Sequence, residues 1–495
     1  MKKTILYIII SLLPAYVLAV QPPPKRQMRG VWIATVTNID FPSKDTLSVT
    51  QQKQELRTML DRFAAMNINT VVFQARPAAD AFFVSDKEPW SQWLTGKQGK
   101  APATPFDPLD FLIREAHLRC MEAHVWINPY RASMGKNGFD KKHAFYRKKH
   151  LLKEYGGKYY FDPGLTETRQ YLNEIVADIV SRYDVDAVHF DDYFYPYRVA
   201  GQDFPDDDTF RKEPRGLKTK DEWRRDNVNL IIGELQQTIK GLKPWVEFGI
   251  SPFGVWRNAD KDPRGSQTRA GLTNYDDLYA DILLWLQEGT IDYVVPQLYW
   301  EIGKTVADYK ILVDWWAKNS FGRNLYIGLY ASGLGIQKGA WQNGNELARQ
   351  LALNEKYPQQ QGVFIYSARP FLNNPQGICD TLKKNYFKYP ALVPINKNLN
   401  GEPSAPPDSL QFSNNILSWQ KVRGFDGKEV SFYVVYAAEG EVDVNNPKHI
   451  LAKTVDDCLD VSAFLKKKKN VTFAVTSVNR YKYESEPIYK HADDY

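Results

Sequence analysis

Short apolar runs alternate with stretches of helical periodicity from residue 30 to about residue 370 of this 495-residue chain. Continuous apolar runs are typical of strands that are buried on both faces of a parallel sheet. Strand-like runs occupy residues 30–36, 69–76, 122–131, 185–190, 245–254, 292–300, 324–332 and 362–369. Apolar spacing of the i, i+3, i+4 type marks helices at residues 50–67, 108–120, 166–183, 221–242, 275–288, 306–318 and 344–354. The pattern predicts an α/β fold, a (β/α)8 TIM barrel over residues 28–390.

An open, doubly wound parallel sheet is the competing arrangement of the same elements. That fold binds nucleotides through a glycine-rich turn after its first strand. Such a turn does not follow residues 30–36. The sequence therefore favours the closed barrel.

The polar and apolar pattern changes beyond residue 390. Residues 391–407 are rich in proline, asparagine and serine and lack periodicity, which predicts a linker. Short alternating runs then follow at residues 416–419, 431–436, 449–452 and 471–478. They predict a small all-β sandwich over residues 408–490, which resembles a fibronectin type III domain with Trp419 in its core.

The N-terminus has the pattern of a secretory signal peptide. Two lysines precede an apolar run that ends in Val17-Leu18-Ala19, a small-residue cleavage site. We expect residues 1–19 to be removed near Ala19 and the protein to be exported to the periplasm or cell surface. Retention as an uncleaved anchor is the alternative, although the apolar run is short and contains Pro14.

Composition narrows the range of partners. The net charge of +6 is small for this length and forms no basic stripe, so nucleic acid is not expected as a partner. Aromatic residues make up 14% of the chain, with 13 Trp and 29 Tyr. Many stand beside polar residues, a pattern that suits stacking against sugar rings as well as packing in a large core. The three cysteines are far apart in sequence and predict no disulfide framework.

Polar side chains gather where the predicted strands end, and the carboxyl ends of the strands form the active-site face of a barrel. Asp191 and Asp192 end the fourth strand, and Asp80 and Glu301 follow two others. These four are the candidate catalytic carboxylates. The predicted substrate-binding residues on the same rim are Arg76, Asn128, Tyr130, Arg131, His189, Tyr193, Trp256, Gln297, Tyr299, Trp300 and Tyr330.

Strand alternation ranks the carboxylates. Side chains alternate between the faces of a strand, so His189 and Asp191 share the face that Ala187 presents to the barrel interior. Asp191 is therefore the first catalytic candidate. Glycoside hydrolysis normally needs two carboxyl groups, and Asp192, Asp80 and Glu301 all remain open as the second. If the sugar carries an N-acetyl group, its own carbonyl can act as the nucleophile while one carboxylate orients it.

Other chemistries lack their sequence patterns. The histidines are not spaced as ligands of a catalytic metal, and neither a Gly-x-Ser-x-Gly elbow nor a phosphate-binding loop is present. We therefore expect neither a metal nor another cofactor.

At these motifs the chain resembles the glycosyl hydrolase-like family ten of bacterial envelope proteins. The motifs lie between residues 29 and 369 and include Trp126-x-Asn-Pro-Tyr-Arg131, His189-Phe-Asp-Asp-Tyr-Phe-Tyr-Pro196 and Pro296-Gln-x-Tyr-Trp300. The resemblance implies a (β/α)8 glycosidase whose paired acids fall on Asp191 and Asp192. A relative in this family is similar in acting at the division site on peptidoglycan glycan strands that lack stem peptides.

The function predicted from the sequence is hydrolysis of glycosidic bonds in a cell-envelope glycan, with such denuded peptidoglycan strands as substrate. The alternatives are hydrolysis of an exopolysaccharide or α-glucan, or glycan binding without catalysis. The polysaccharide is the expected partner, and the C-terminal sandwich is expected to associate with the envelope. Oligomeric state stays open.

Overall fold

Eight parallel strands close into a barrel in the computed structural model, which describes residues 23–342, 345–466 and 468–492. Each strand pairs with its neighbours in sequence, and the eighth pairs with the first. The strands are β1 (Met28–Ile33), β2 (Thr70–Arg76), β3 (Glu122–Ile127), β4 (Ala187–Phe190), β5 (Glu247–Ile250), β6 (Tyr293–Val294), β7 (Asn324–Tyr330) and β8 (Gln360–Tyr366). The predicted (β/α)8 barrel is confirmed. The predicted signal peptide, residues 1–19, lies outside the described residues.

Helices follow the strands in the order that the periodicity predicts. They are α1 (Val49–Ala65), α2 (Pro108–His117), α3 (Thr166–Arg182), α4 (Lys220–Leu242), α5 (Ile282–Glu288), α6 (Tyr309–Lys318), α7 (Asn345–Asn354) and α8 (Ala368–Asn373). Shorter helices occupy the barrel loops at Gln92–Thr95, Ala144–Arg147, Asp207–Lys212, Asn274–Asp277 and Ile378–Thr381. Among the described residues, none of the helices is both long and apolar enough to cross a membrane.

Several predicted elements are shorter in the structure, and two of them have a clear local cause. Residues 275–288 form two helices because Asp281 caps the second one, accepting a hydrogen bond from the Leu284 amide at 3.4 Å. Strand β6 covers only Tyr293–Val294 of the predicted 292–300. Pro296 follows, and proline has no backbone N–H to continue the ladder.

Large rings fill the barrel interior. The inward-facing cluster is composed mainly of aromatic and small apolar side chains, namely Met28, Trp32, Ala34, Val72, Trp126, Ala187, Tyr293, Val295, Tyr326 and Phe364. Glycines make room for two of these rings. A Cβ atom at Gly30 would overlap the Phe364 ring, and one at Gly249 would overlap the Tyr293 ring. Glycine at these two strand positions therefore leaves room for an aromatic core inside a narrow barrel.

Two antiparallel sheets form the C-terminal region. Their strands are β9 (Asp408–Ser413), β10 (Ile416–Gln420), β11 (Phe432–Glu439), β12 (Ile450–Thr454), β13 (Cys458–Asp460), β14 (Val471–Val478) and β15 (Ile488–His491). The three-stranded sheet has the order β9-β10-β13 and the four-stranded sheet the order β12-β11-β14-β15. Trp419 is 5% exposed and packs in the cluster that both sheets share. The likeness to fibronectin type III remains a prediction.

The loop after β14 joins this region to the amino-terminal end of the barrel. Arg480 pairs with Asp184, just before β4, through both nitrogens of its guanidinium tip. Lys482, only 6% exposed, pairs with Glu247 and lies 3.3 Å from Glu122, at the starts of β5 and β3. The C-terminal region thus contacts the end of the barrel opposite the candidate site.

Candidate active site

Asp191 lies directly after β4, where the chain leaves the barrel, and is 4% exposed. Three N–H groups donate to its carboxylate. The Trp126 indole donates to Oδ2 at 3.0 Å, the Asn128 amide donates to the same oxygen, and the Tyr193 backbone donates to Oδ1 at 3.1 Å. Such donors hold the carboxylate in one orientation and stabilise its ionised form.

The orientation of Asn128 is fixed by its own neighbours. Its carbonyl oxygen accepts from the Gln74 amide at 2.7 Å and from the Arg131 guanidinium at 2.9 Å. Gln74 is held in turn, because its oxygen accepts from the backbone amides of Thr35 and Val36. Since the carbonyl of Asn128 is occupied, its NH2 group faces Asp191. The predicted binding residues Asn128 and Arg131 thus act on the acid pair itself.

Asp192 is 3% exposed and has a different set of partners. Its Oδ1 accepts from the Gln297 amide at 3.2 Å. Its Oδ2 is in hydrogen-bond contact with the hydroxyl of Tyr197, a residue that is 38% exposed. A tyrosine hydroxyl donates to a carboxylate and accepts from a carboxylic acid, so this contact suits either protonation state.

The two acids influence each other's ionisation. Burial, and next the charge of Asp192, raise the pKa of Asp191 to about 7, while Arg131 acts in the opposite direction. Burial also raises the pKa of Asp192. The pair therefore retains a proton well above the pH at which an exposed aspartate ionises. Asp191 accepts from the N–H groups of three residues and Asp192 from that of one other residue, Gln297, so we place that proton on Asp192.

Partly exposed aromatic rings surround the pair. Tyr193 stacks on Tyr197 with ring centroids 5.4 Å apart, and Phe253 meets Trp300 edge to face at 5.2 Å. Three further tyrosines stack in series, Tyr299 after β6, Tyr330 at the end of β7 and Tyr366 at the end of β8. Burial chiefly raises the pKa of Tyr299, and the charges of the neighbouring tyrosines and of Asp192 and Asp191 add to the shift, which places this stack beside the acids. Rings with polar tips around two acids form a surface suited to a sugar.

The structure gives Arg76 and Asp80 other partners. Arg76 is completely buried, forms a two-point ion pair with Glu88 at 2.6 and 2.8 Å, and donates to the Asn128 and Pro129 carbonyls. Asp80 is 1% exposed, and burial raises its pKa to about 7. Because Arg76 has no exposed surface and four of its five N–H donors are bonded within the protein, we reassign it from substrate binding to support of the β2–β3 rim.

Glu301 and two aromatic candidates also lie away from the acid pair. Glu301 pairs with Lys304 at 3.6 Å and accepts from the Ala340 amide at 3.2 Å, so it anchors the loop after β7. Trp256 is 1% exposed and stacks on Trp315, and Tyr130 is fully buried. Burial removes both rings from contact with a substrate, which corrects their predicted binding role.

His189 lies in the layer beneath Asp191 and is fully buried. Its Nδ1 is 2.9 Å from the Tyr293 hydroxyl, and its Nε2 is 3.0 Å from the Ser251 hydroxyl. Burial lowers the pKa of His189, which keeps the ring neutral. It faces the interior as strand alternation predicts, but as part of the barrel floor rather than as a sugar ligand.

Three residues at the site were missing from the predicted set. Trp126 shares a strand face with Asn128, so alternation alone could have identified it. Tyr197 belongs to the aromatic cluster after β4, but a contact five residues from Asp192 depends on the path of a loop. Tyr366 ends β8 between Ile365 and Ser367, and only its position at a strand end could have identified it. Among the described residues, no cluster of three or more His, Cys, Asp or Glu side chains could hold a metal ion.

Comparison with known proteins agrees with this geometry. The sequence profile of the family described as Glycosyl hydrolase-like 10 matches residues 27–341. The chain is 41% identical to Glycosyl hydrolase YngK of Bacillus subtilis over 93% of this chain and 92% of that protein. It is 38% identical to Glycosyl hydrolase DigH of Escherichia coli K12 over 72% of this chain and 87% of that protein.

A solved structure that matches is α-L-fucosidase isoenzyme 2 of Paenibacillus thiaminolyticus, with a TM-score of 0.45 and 16% identity. The match covers 73% of this chain and 49% of the fucosidase, so it spans about half of that protein. The family assignment depends on the profile and the two sequence relatives. The chain therefore belongs to the glycosyl hydrolase-like 10 family and is a glycoside hydrolase built on a (β/α)8 barrel.

Proposed function

We propose that this glycoside hydrolase cleaves N-acetylhexosamine-containing strands of the cell envelope, with peptidoglycan glycan that lacks stem peptides as its substrate. The observation that carries the proposal is the pairing of Asp191 and Asp192 on consecutive residues of one strand end. Mechanisms that rely on two enzyme carboxyl groups place them on either side of the scissile bond. Neighbouring acids suit a mechanism in which the substrate's own acetamido group is the nucleophile.

The donors around each acid divide the roles. Asp192 holds the proton and, as general acid, gives it to the glycosidic oxygen as the bond to C1 breaks. The acetamido carbonyl oxygen attacks C1 at the same time and closes a five-membered ring. Asp191, kept ionised by Trp126, Asn128 and the Tyr193 amide, accepts a hydrogen bond from the acetamido N–H and stabilises its positive charge.

The second half of the reaction restores the enzyme. Water attacks C1 and opens the ring, and Asp192 takes the proton that this water loses. The acetamido group returns to its original form, so retention of configuration at C1 is expected. The aromatic rings of Tyr299, Tyr330 and Trp300 hold the sugar by stacking while the acids act.

Reducing-end release from purified glycan strands tests this function. Strands freed of stem peptides by an amidase are compared with intact peptidoglycan, with the same strands after de-N-acetylation, and with an α-glucan. We expect release only from the denuded, N-acetylated strands, and inhibition by a thiazoline analogue of the cyclised intermediate. Equal cleavage of de-N-acetylated strands or of α-glucan would overturn the substrate and the mechanism. Binding without release would identify a glycan-binding protein.

Export to the periplasm or cell surface belongs to the same proposal. The support is the pattern of residues 1–19 and the need of such an enzyme to meet its polymer outside the cytoplasm. We also propose that the C-terminal sheets help the enzyme associate with the envelope. Fractionation of cells that produce the full chain tests both points, and a cytoplasmic pool of uncleaved protein would contradict them.

A further inference from the structure

A line of hydrogen-bonded side chains runs along the barrel axis, from the C-terminal region to the floor of the active site. Lys482 lies 3.3 Å from Glu122, whose other oxygen is 3.0 Å from His124 Nε2. His124 Nδ1 is 3.0 Å from the Tyr293 hydroxyl, and this hydroxyl is 2.9 Å from His189 Nδ1. His124, Tyr293 and His189 are each 1% exposed or less. We call these five residues the axial chain.

The direction of every hydrogen bond in the axial chain is determined by its upper end. The Trp32 indole, which can only donate, lies 3.3 Å from His189 Nε2. Neutral His189 therefore carries its proton on Nδ1 and donates to Tyr293. Tyr293 then donates to His124 Nδ1, and His124 donates through Nε2 to Glu122. The Glu122 side chain is the acceptor at the lower end.

Lys482 holds that acceptor in place. It comes from the loop after β14, adopts a left-handed backbone with φ of 69°, and is almost fully buried. Burial penalises its charge, but the carboxylates of Glu122 and Glu247 raise the pKa of Lys482 above its usual value. In addition to burial, the charges of Glu122 and Asp292 raise the pKa of Glu247. Lys240 pairs with Asp292 at 2.7 Å. Without the ammonium group, uncompensated carboxylates would share a dry site.

The upper end of the axial chain reaches the acid pair through two more residues, Ser251 and Gln297. Ser251 places its hydroxyl 3.0 Å from His189 Nε2. Its carbonyl accepts at 2.8 Å from the Gln297 amide, and the same amide donates to Asp192 at 3.2 Å. The position of Asp192 is therefore coupled to the state of His189 through Ser251 and Gln297.

We propose that Lys482 is a positioning residue for catalysis, supplied to the barrel by the C-terminal region through the axial chain. The inference rests on the proposed role of Asp192. Replacement of Lys482 by methionine leaves Glu122 and Glu247 without their cation, so the two carboxylates repel each other and Glu122 moves away from His124. His124 then shifts its proton to Nδ1, every hydrogen bond above it reverses, and a proton on His189 Nε2 faces the Trp32 N–H. The floor must shift to relieve that clash.

Kinetics of purified full-length variants on denuded glycan strands provide the first test. We expect Lys482→Met to lower kcat by about 10-fold with little change in KM, because it disturbs the geometry of the acids and not the sugar-binding rings. Lys482→Arg, which keeps the positive charge, should restore most of kcat. Lys453→Met is the matched control, since Lys453 also reaches the barrel from the C-terminal region, donating to the Cys120 carbonyl at 3.3 Å. It should retain wild-type kcat.

A double-mutant cycle separates this role from a general loss of stability. Tyr293→Phe removes the hydroxyl that joins the two histidines but leaves the Lys482 ion pairs intact. If Lys482 acts through the axial chain, its substitution has little further effect on kcat in the Tyr293→Phe background. Additive losses would overturn the proposal. Both effects are normalised to the folded fraction measured by near-UV circular dichroism.

The protonation sites of the histidines provide a readout that is independent of substrate. In 15N spectra of histidine-labelled protein, we expect His189 protonated on Nδ1 in the wild type and on Nε2 in Lys482→Met. An unchanged His189 pattern, with wild-type kcat, would overturn the proposal. Failure of the proposed function is recognised separately. If Asp192 is not the general acid, Asp192→Asn retains activity, whatever the histidine spectra show.

Discussion

The side-chain amide of Asn128 faces Asp191 with its NH2 group, because its carbonyl oxygen already accepts from Gln74 and Arg131. Asp191 is thereby surrounded by groups that only donate. A protonated Asp191 would need an acceptor that this arrangement does not offer. The proposed division of roles between the two acids thus follows from the orientation of a neutral amide on the first residue after β3.

Asp191→Asn tests the central carboxylate. The substitution keeps the shape of the side chain but removes the charge that stabilises the cyclised sugar, so kcat should fall by about 10²–10³-fold. Release of reducing ends from denuded glycan strands measures it. Asp110→Asn, on the exposed surface of α2, is the control and should leave activity unchanged. Undiminished release by Asp191→Asn would remove this residue from the mechanism.

The same variant has a predicted effect on stability. Burial raises the pKa of both Asp191 and Asp192, and their like charges add to the shift, which reaches about 7 at Asp191. Above pH 4 the native pair therefore keeps one proton, which we place on Asp192, where the unfolded state keeps none, so the pair lowers the free energy of unfolding as the pH rises from about 4 to about 7. Asp191→Asn removes one of the two like charges. Urea denaturation across that range should show a smaller decline with pH for Asp191→Asn than for the wild type. Parallel curves would contradict the raised pKa.

Tyr197→Phe probes the proton on Asp192. The hydroxyl of Tyr197 lowers the pKa of Asp192 by hydrogen bonding, against the larger effect of burial. Loss of the hydroxyl should let Asp192 keep its proton to higher pH, so the basic limb of the kcat/KM profile moves upward. The pH dependence of glycan release measures this shift. A profile that moves to lower pH would contradict the assignment of Asp192 as general acid.

Arg76→Met separates support of the rim from substrate binding. It leaves the Glu88 carboxylate buried without its partner, which should cost about 3–5 kcal/mol in the free energy of unfolding. Restoring a neutral pair with Arg76→Met and Glu88→Met together should recover much of that loss. Denaturant titration compares the three proteins. A normal stability with a raised KM would instead return Arg76 to the substrate.

Tyr299→Ala tests the stacked tyrosines. Removing this ring takes away a stacking surface for the sugar, and we expect KM to rise by about 10-fold while kcat changes less. Trp256→Phe serves as the comparison because that ring is buried against Trp315. It should lower the melting temperature without changing KM. A KM effect for Trp256→Phe but none for Tyr299→Ala would show that the wrong aromatic surface was identified.

The barrel was predictable because its strands leave a local signature. Each is a continuous apolar run of about the right length, and caps such as Ser48 and Thr219 mark where the helices α1 and α4 begin. The end of β6 was not predictable from the same evidence. By their apolar pattern residues 292–300 look like one strand, and the missing backbone N–H of Pro296 is the sign that the ladder stops before it.

The acid pair was also found from sequence, but its surroundings were not. Strand alternation placed Asp191 toward the interior, yet it treats Arg76 and Asn128 alike, as polar residues at strand ends. Glu88, which pairs with Arg76, lies in a loop, and no local sequence pattern predicts the path of that loop. Lys482 is more distant still, since its partners Glu122 and Glu247 are hundreds of residues away. Contacts of that kind depend on the assembled fold.

The bare position at Gly249 limits how this barrel can be redesigned. The Tyr293 ring occupies the space that a side chain at position 249 would need, so the sizes of the two residues are complementary. A bulkier residue at 249 requires a smaller one at 293, and that exchange would also discard the hydroxyl between the two imidazoles. Engineers who wish to widen or reshape the sugar cleft from below will need to change both positions at once.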